Sequence, residues 1–131
     1  MSTTTTGITQ LGLVIIPTPD VDRAIEFYVD KLGFEKRTDI PFGGQYRWVE
    51  VYPTRGTAGI ALAPPPPGTE AAPHETGISL NCDNIDETHE TLRSNGVDVD
   101  AEVSRMGGPV PPMFWFRDPD GNRLLIVEQQ G

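Results

Sequence analysis

The sequence predicts an α+β fold of two βαβββ modules whose sheets wrap round a shared concavity. A strand, a helix and three strands follow one another twice along the chain. The helix boundaries also recur, since Asp20 matches Asn84 and Gly33 matches Gly96. Equal halves of this kind are typical of pseudo-twofold packing. The predicted units are a disordered tail, the first module, a Pro-rich linker and the second module, at residues 1–7, 8–63, 64–76 and 77–131.

The first module opens with an apolar, β-branched segment, residues 11–16, which predicts a strand that two prolines close. Asp20 is a good N-cap for a helix that Gly33 ends. The 3.6-residue spacing places one apolar face of this helix inward: Val21, Ala24, Ile25, Tyr28 and Leu32. Three further strands are predicted at residues 34–39, 45–52 and 57–63.

The second module repeats this order. Residues 77–82 predict a strand, and Asn84 with Glu87 forms a capping box at the start of a helix that ends at Gly96. The inner face of that helix is expected to carry Ile85, Thr88, His89 and Leu92. The remaining strands are predicted at residues 97–103, 113–116 and 123–127.

Composition excludes several classes of function. The net charge is −9 at pH 7, whereas nucleic acids and anionic membranes need lysine and arginine. Cys82 is the only cysteine, so neither a disulfide framework nor a cysteine-rich zinc site is expected. The longest apolar run is too short to span a bilayer, and the first seven residues lack the features of a signal peptide. A cytoplasmic location is therefore expected.

Three segments carry a resemblance to a known family. DVDRAIEFYVDKLGFE, DNIDETHETLRSNGV and FRDPDGNRLLIVE resemble the vicinal-oxygen-chelate superfamily, which includes glyoxalases, bleomycin-resistance proteins and extradiol dioxygenases. The resemblance covers nearly the whole chain outside the tail and the linker. It implies a cupped eight-stranded mixed sheet with helices on the outside. It also implies a homodimer, since family members commonly complete their cups across two chains.

The resemblance also implies where a metal would be held. In metal-dependent members, four His or Glu ligands project into the cup from the first and fourth strands of each half. Those positions fall here on Leu13, Ala61, Gly77 and Leu125. None of these side chains can donate a lone pair to a metal ion. The chain is therefore expected to be a member without the metal ligands and without a cofactor.

Few other residues could replace these ligands. His74 lies in the Pro-rich linker and is expected to be solvated, and His89 is expected to pack at the core or its edge. Glu50 is the best carboxylate candidate for a general base, but one carboxylate does not make a metal site. The sequence leaves enzymatic activity open and favours a protein that is not a metal-dependent enzyme.

Strand alternation predicts which side chains line the cup. In RWVEVY, Val49 and Val51 are expected in the core, which turns alternate residues to the other face. In MFWFR, the two phenylalanines make the better core, so Trp115 is assigned to the cup. The predicted ligand-binding residues are Tyr46, Trp48, Glu50, Ser79, Asn81, Met113 and Trp115. The alternative, that Trp48 and Trp115 fill the space as core, stays open.

Three functions fit these patterns. The first is a metal-free small-molecule-binding protein that resembles the bleomycin-resistance branch and holds a cationic or aromatic drug or metabolite. The second is a glyoxalase-like lyase, isomerase or dioxygenase with an unrecognised site. The third is an interaction or regulatory protein whose cup is filled. DPDGN is expected to be a type I turn with a bulge rather than a calcium loop, because it lacks a bidentate Glu at the required downstream spacing and has no flanking helices.

Overall fold

The computed structural model describes residues 6–41, 46–56, 58–65 and 75–129. The first module contains β1 (Leu13–Pro17), α1 (Val21–Ile25) with a π-helical continuation (Glu26–Lys31), β2 (Glu35–Pro41), β3 (Arg47–Tyr52) and β4 (Gly59–Ala63). The second module contains β5 (Glu75–Cys82), α2 (Ile85–Ser94), β6 (Asp98–Val99), β7 (Met113–Arg117) and β8 (Arg123–Glu128). The predicted α+β class and the repeated βαβββ order are confirmed.

The eight strands form two four-stranded sheets. Their orders are β1-β4-β3-β2 and β5-β8-β7-β6. The first and last strands of each module pair in parallel, and the other neighbours are antiparallel, so each sheet is mixed. Within the described residues no hydrogen-bonded ladder joins the two sheets, which leaves β1 and β5 as edge strands.

Both predicted helix starts are confirmed. The Asp20 carboxylate accepts a hydrogen bond from the Arg23 backbone N–H at 3.0 Å. Asn84 Oδ1 accepts one from the Glu87 N–H at 3.1 Å. These bonds satisfy N–H groups that have no partner inside the helix.

The interior of the first helix differs from the prediction. The Leu32 N–H donates to the Phe27 carbonyl at 3.1 Å, a five-residue step that marks π-helical geometry. The wider turn lets the adjacent residues Phe27 and Tyr28 both point into the core. The prediction of a regular helix is therefore wrong, because its inner face omitted the buried Phe27. Of the residues predicted on that face, Val21, Ile25 and Leu32 are only partly buried.

Two boundaries in the second module also differ. β5 begins at Glu75, two residues before the predicted strand, so the predicted linker is too long. β6 covers only two residues of the predicted strand 97–103. It ends there because the Asp100 carboxylate accepts the Trp115 N–H at 3.2 Å, taking a donor from the ladder. The chain returns to β7 only at an isolated bridge between Ser104 and Met113.

One hydrophobic core joins the two modules. The Phe27 and Phe116 rings stack across the module boundary, with centroids 6.2 Å apart. Burying large apolar side chains of this kind contributes roughly 1.5–3 kcal/mol each. The core takes one face of each sheet and the inner faces of both helices: Ile16, Ala24, Phe27, Tyr28, Phe34, Val49, Val51, Ile60, Leu62, Ile85, Leu92, Val97, Phe114, Phe116, Leu124 and Ile126.

A buried hydrogen-bond cluster of Tyr28, Asp118 and Asn122 also connects the modules. The Tyr28 hydroxyl donates to Asp118 Oδ2 at 2.9 Å, and Asn122 Nδ2 donates to the same oxygen at 3.0 Å. Asp118 Oδ1 accepts the backbone N–H groups of Asp120 and Asn122. Burial, and then the charge of Asp118, raise the pKa of Tyr28 far above its usual range, so its hydroxyl stays a donor.

The DPDGN segment forms the turn between β7 and β8 and also contacts the first module. The Gly121 N–H donates to the Asp118 carbonyl at 2.9 Å, and Gly121 adopts a φ of +84°, as the predicted turn with a bulge requires. Asp120 reaches across to the first module, where Thr18 Oγ1 donates to it at 2.7 Å and Arg23 forms an ion pair with it.

Arg47, at the start of β3, ties the β2–β3 hairpin to α1. Its guanidinium pairs with Asp39 at 2.7 Å and with Asp22 at 2.6 Å. The hydrogen bonds from Arg47, and then from Lys36, lower the pKa of Asp39 to about 2. These groups are exposed enough for water and salt to screen them, so their effect on stability is small.

Candidate functional site

Each sheet has one face in the core and one face turned away from it, which we call its outer face. Strand register places the side chains on these faces: Ile15 and Glu50 both pair with Ala61, and Ser79 and Trp115 both pair with Leu125. Residues directly opposite in a ladder project from the same face. The first outer face includes Leu13, Ile15, Trp48, Glu50, Tyr52, Gly59 and Ala61; the second includes Gly77, Ser79, Asn81, Met113, Trp115, Arg117, Arg123, Leu125 and Val127.

On the first outer face, Glu50 lies between two aromatic donors. Trp48 Nε1 donates to Glu50 Oε2 at 2.8 Å, and the Tyr52 hydroxyl donates to Glu50 Oε1 at 2.9 Å. The hydrogen bond to Glu50 raises the pKa of Tyr52 above its usual value, with burial adding to it. Both oxygens of Glu50 thus hold aromatic rings in place, which is a positioning role rather than that of a free general base.

Tyr52 lies directly over Gly59. A Cβ added to Gly59 would come within 2.6 Å of Tyr52 Cε2, closer than real Cβ contacts. The Arg37 guanidinium stacks on the same ring, 4.4 Å from its centroid. A glycine at position 59 is therefore required by the aromatic ring above it.

On the second outer face, Trp115 is half-buried beneath an arginine. The Arg123 guanidinium lies 4.1 Å from the centroid of the Trp115 ring and pairs with Glu75 at 3.3 Å. Ser79 and Asn81, on the neighbouring edge strand β5, are exposed. Sequence reasoning missed Arg123; its position two residues before Leu125 on the same strand could have indicated it.

The structure divides the predicted ligand-binding residues between the two outer faces. Trp48 and Glu50 lie on the first, and Tyr46 lies immediately before β3 and is exposed. Ser79, Asn81, Met113 and Trp115 lie on the second. The opposite faces of the two sheets meet in one core, so within one chain the outer faces point away from each other. A single cup lined by all seven residues does not form in the described part of one chain.

The open question about the two tryptophans has an answer in the structure. Neither Trp48 nor Trp115 belongs to the core, and both side chains are partly exposed on outer faces. The alternation that put Val49, Val51 and the two phenylalanines of β7 in the core is confirmed.

The four positions that the resemblance gives to metal ligands lie on the outer faces, two on each. Residues 6–41, 46–56, 58–65 and 75–129 contain no group of three or more His, Cys, Asp or Glu side chains that could hold a metal ion. His74 lies outside the described residues. His89 is buried, pairs through Nε2 with the Asp100 carbonyl at 2.7 Å and packs edge-on against Phe114, which confirms its core role.

A cleft of about 550 Å³ lies between the modules, on the core side of the second sheet. Its apolar walls come from Leu32 and Phe34 of the first module and from Leu80, Leu92 and Ile126 of the second, and polar residues complete the lining. Burial raises the pKa of the Cys82 thiol at its edge, so the thiol is not activated as a nucleophile. Of the predicted ligand-binding residues, only Asn81 contacts this cleft.

The chain is a small α+β protein of two βαβββ modules that share one core and carry aromatic residues on their outer faces. Comparison with known proteins identifies its family. Residues 10–126 match the Glyoxalase/Bleomycin resistance protein/Dioxygenase superfamily, and the chain belongs to it. The match covers both modules, so the resemblance seen in the three sequence segments is confirmed.

Relatives and solved structures agree with this assignment. The chain is 29% identical to YetH of Bacillus subtilis, covering 92% of this chain and 99% of YetH. A superfamily member from Sphaerobacter thermophilus is 34% identical, with a TM-score of 0.84, covering 94% of this chain and 99% of that protein. TnmS3, an antibiotic binding protein from Streptomyces sp. CB03234, is 27% identical, with a TM-score of 0.82, covering 96% and 100%. No described helix is both long and apolar enough to cross a membrane.

Proposed function

We propose that this chain is a metal-free small-molecule-binding protein that holds an aromatic drug or metabolite against its outer faces. The observation that carries the proposal is the pair of partly exposed tryptophans, each held outside the core. Trp48 donates a hydrogen bond to Glu50 at 2.8 Å, and the Arg123 guanidinium lies 4.1 Å from the centroid of the Trp115 ring. Rigid aromatic rings with a few polar neighbours are typical of small-molecule sites. The likeness to an antibiotic binding protein supports the same class of ligand.

Intrinsic fluorescence tests the proposal directly, because Trp48 and Trp115 are the only tryptophans in the chain. A panel of antibiotics, aromatic metabolites and glutathione conjugates would be titrated with and without divalent metals, alongside thermal-shift measurements. We expect at least one aromatic ligand to quench fluorescence and raise the melting temperature without metal. Trp48→Ala or Trp115→Ala should weaken the binding of that ligand, whereas Met106→Ala, in the exposed loop between β6 and β7, should not.

Two results would count against the proposal. If the ligands that bind do so equally well in both tryptophan variants, the outer faces are not the site. If binding requires a divalent metal, the second function gains support, namely a glyoxalase-like lyase, isomerase or dioxygenase with a site that sequence and geometry have not revealed.

We further propose that two copies of the chain form a homodimer in which the first outer face of one chain meets the second outer face of the other. This arrangement would enclose all seven predicted ligand-binding residues in one cup. The support is the apolar surface left on and before the edge strand β1, where Leu11 is 72% and Ile15 57% exposed. Exposed apolar residues in a row are typical of interaction surfaces.

Light scattering after size exclusion tests the dimer. We expect twice the mass of one 14.3 kDa chain, and a shift toward the monomer in Ile15→Asp. Met106→Asp, at an exposed apolar residue in the loop between β6 and β7, is the control. A monomer at all concentrations would refute the arrangement. The cytoplasmic location expected from the sequence stays a prediction.

A further inference from the structure

Two arginines stand side by side on the second outer face. Arg117 on β7 pairs directly with Arg123 on β8, so both side chains project from the face that carries Trp115. Like charges directly opposite in a ladder are destabilising. The pair is also unusual for this chain, which has 10 basic residues against 19 acidic ones.

Each guanidinium keeps contact with solvent. The side chains of Arg117 and Arg123 are 31% and 44% exposed. Arg117 pairs with Asp100 at 2.8 Å and lies 3.8 Å from Asp98. Arg123 pairs with Glu75 at 3.3 Å. A guanidinium carries five N–H donors in a fork that matches a carboxylate, so these ion pairs leave donors for another acceptor.

An aromatic ring lies within reach of this charge. Arg123 stacks 4.1 Å above the Trp115 ring, so a planar ligand at Trp115 would meet a guanidinium beside it. On the first outer face, both oxygens of Glu50 accept hydrogen bonds from Trp48 and Tyr52, so this carboxylate is held by the aromatic rings. On the second outer face, the groups that keep unused donors for a ligand are the guanidiniums of Arg117 and Arg123.

We propose that Arg117, Arg123 and Trp115 form a subsite for a planar aromatic acid. The ring of the ligand packs at Trp115, and its carboxylate pairs with Arg123, with Arg117 as a second guanidinium donor on the same face. This inference rests on the proposed binding function, because it names the chemical class that the second outer face selects. A ligand carboxylate would compete with Glu75 for Arg123, which the exposure of that ion pair permits.

Three probes of the same shape and different charge test the subsite: 2-naphthoate, 2-naphthamide and 2-naphthylmethylammonium. The titrations use a Trp48→Phe background, in which Trp115 is the only tryptophan. We expect 2-naphthoate to bind about tenfold more tightly than the neutral amide, as charge-assisted hydrogen bonds are stronger than neutral ones. The cation should bind weakest. The preference for the acid should shrink as salt rises.

Arginine variants assign the preference to its residues. Arg123→Gln should remove most of the preference for the acid, and Arg117→Gln should reduce it. Arg93→Gln is the matched control, since Arg93 is an exposed arginine on α2 with one acidic partner, Glu90. Circular dichroism of each variant confirms that it is folded.

The subsite is refuted if 2-naphthoate and 2-naphthamide bind alike, if none of the probes binds, or if Arg123→Gln keeps the preference. These failures are separable from that of the proposed function. If a ligand from the wider panel binds in a way that depends on the tryptophans, the binding function is supported even when the acid subsite is refuted.

Discussion

Replacing Tyr28 by Phe removes one hydroxyl from the buried cluster between the modules. Tyr28 is fully buried, and its hydroxyl donates to Asp118 Oδ2 at 2.9 Å. Without it, that oxygen keeps a single donor, Asn122 Nδ2 at 3.0 Å. The ring and its packing against Phe27 and Phe34 are unchanged by the substitution.

The expected loss follows from the charge and burial of the acceptor. A hydrogen bond to a charged group contributes about 1.5–3 kcal/mol, and leaving part of a buried carboxylate unsatisfied lies at the upper end of that range. For a domain of this size, the melting temperature should fall by roughly 5–10 °C. Tyr52→Phe is the matched control, because its hydroxyl also donates to a carboxylate at 2.9 Å, but on a partly exposed outer face. The Tyr52→Phe variant should therefore lose much less stability than Tyr28→Phe.

Urea denaturation followed by far-UV circular dichroism measures both variants, and a double-mutant cycle with Asp118→Asn isolates the pair. We expect a coupling energy of about 1 kcal/mol or more between Tyr28 and Asp118. If Tyr28→Phe is no less stable than Tyr52→Phe, or if the coupling is near zero, the cluster does not hold the modules together.

Three further predictions concern the first outer face and the β2–β3 hairpin. Gly59→Ala should destabilise the protein by about 1–3 kcal/mol in thermal melts, because a Cβ would meet the Tyr52 ring, whereas Gly12→Ala, with open space around it, should not. Glu50→Gln should lower the pKa of Tyr52 toward 10, which alkaline titration of phenol absorbance would detect, and an unchanged pKa would disprove the bond. Asp39 has a folded pKa of about 2 against an ordinary 3.8, so its stabilising effect is complete above pH 4 and disappears as the pH falls toward 2. Asp39→Asn should therefore lose less stability than the unmodified protein as the pH falls from 4 toward 2. Identical acid unfolding curves for the two proteins would contradict this.

The features that the sequence predicted well are those set by local chemistry. Asp20 and Asn84 cap helices wherever the helices pack, because the cap bonds lie within three residues. The alternation in β3 and β7 was equally reliable. The core-facing residues of these two strands are fully buried, so a shift of one residue would have put Trp48 or Trp115 into the core.

The features that the sequence could not predict depend on contacts between distant residues. Nothing in the spacing of α1 signals that Phe27 and Tyr28 are both buried, because that requires a π-helical turn stabilised by the second module. The stacking of Arg123 on Trp115 depends on a side-chain conformation rather than on the strand pattern. The predicted site is divided between two sheets because the opposite faces of those sheets meet in the core. The periodicity of the sequence does not predict which faces meet.

The Tyr28–Asp118 bond has a consequence for the order in which the chain folds. Its partners are 90 residues apart, and the bond between Thr18 and Asp120 spans 102. Closing such long loops costs conformational entropy before any contact compensates for it. The β2–β3 hairpin can form from its neighbours alone, but the first helix cannot bury Tyr28 until the turn before the last strand has arrived. During synthesis, Phe27 and Tyr28 therefore lack their second-module partners, Phe116 and Asp118, until nearly the whole chain has been made.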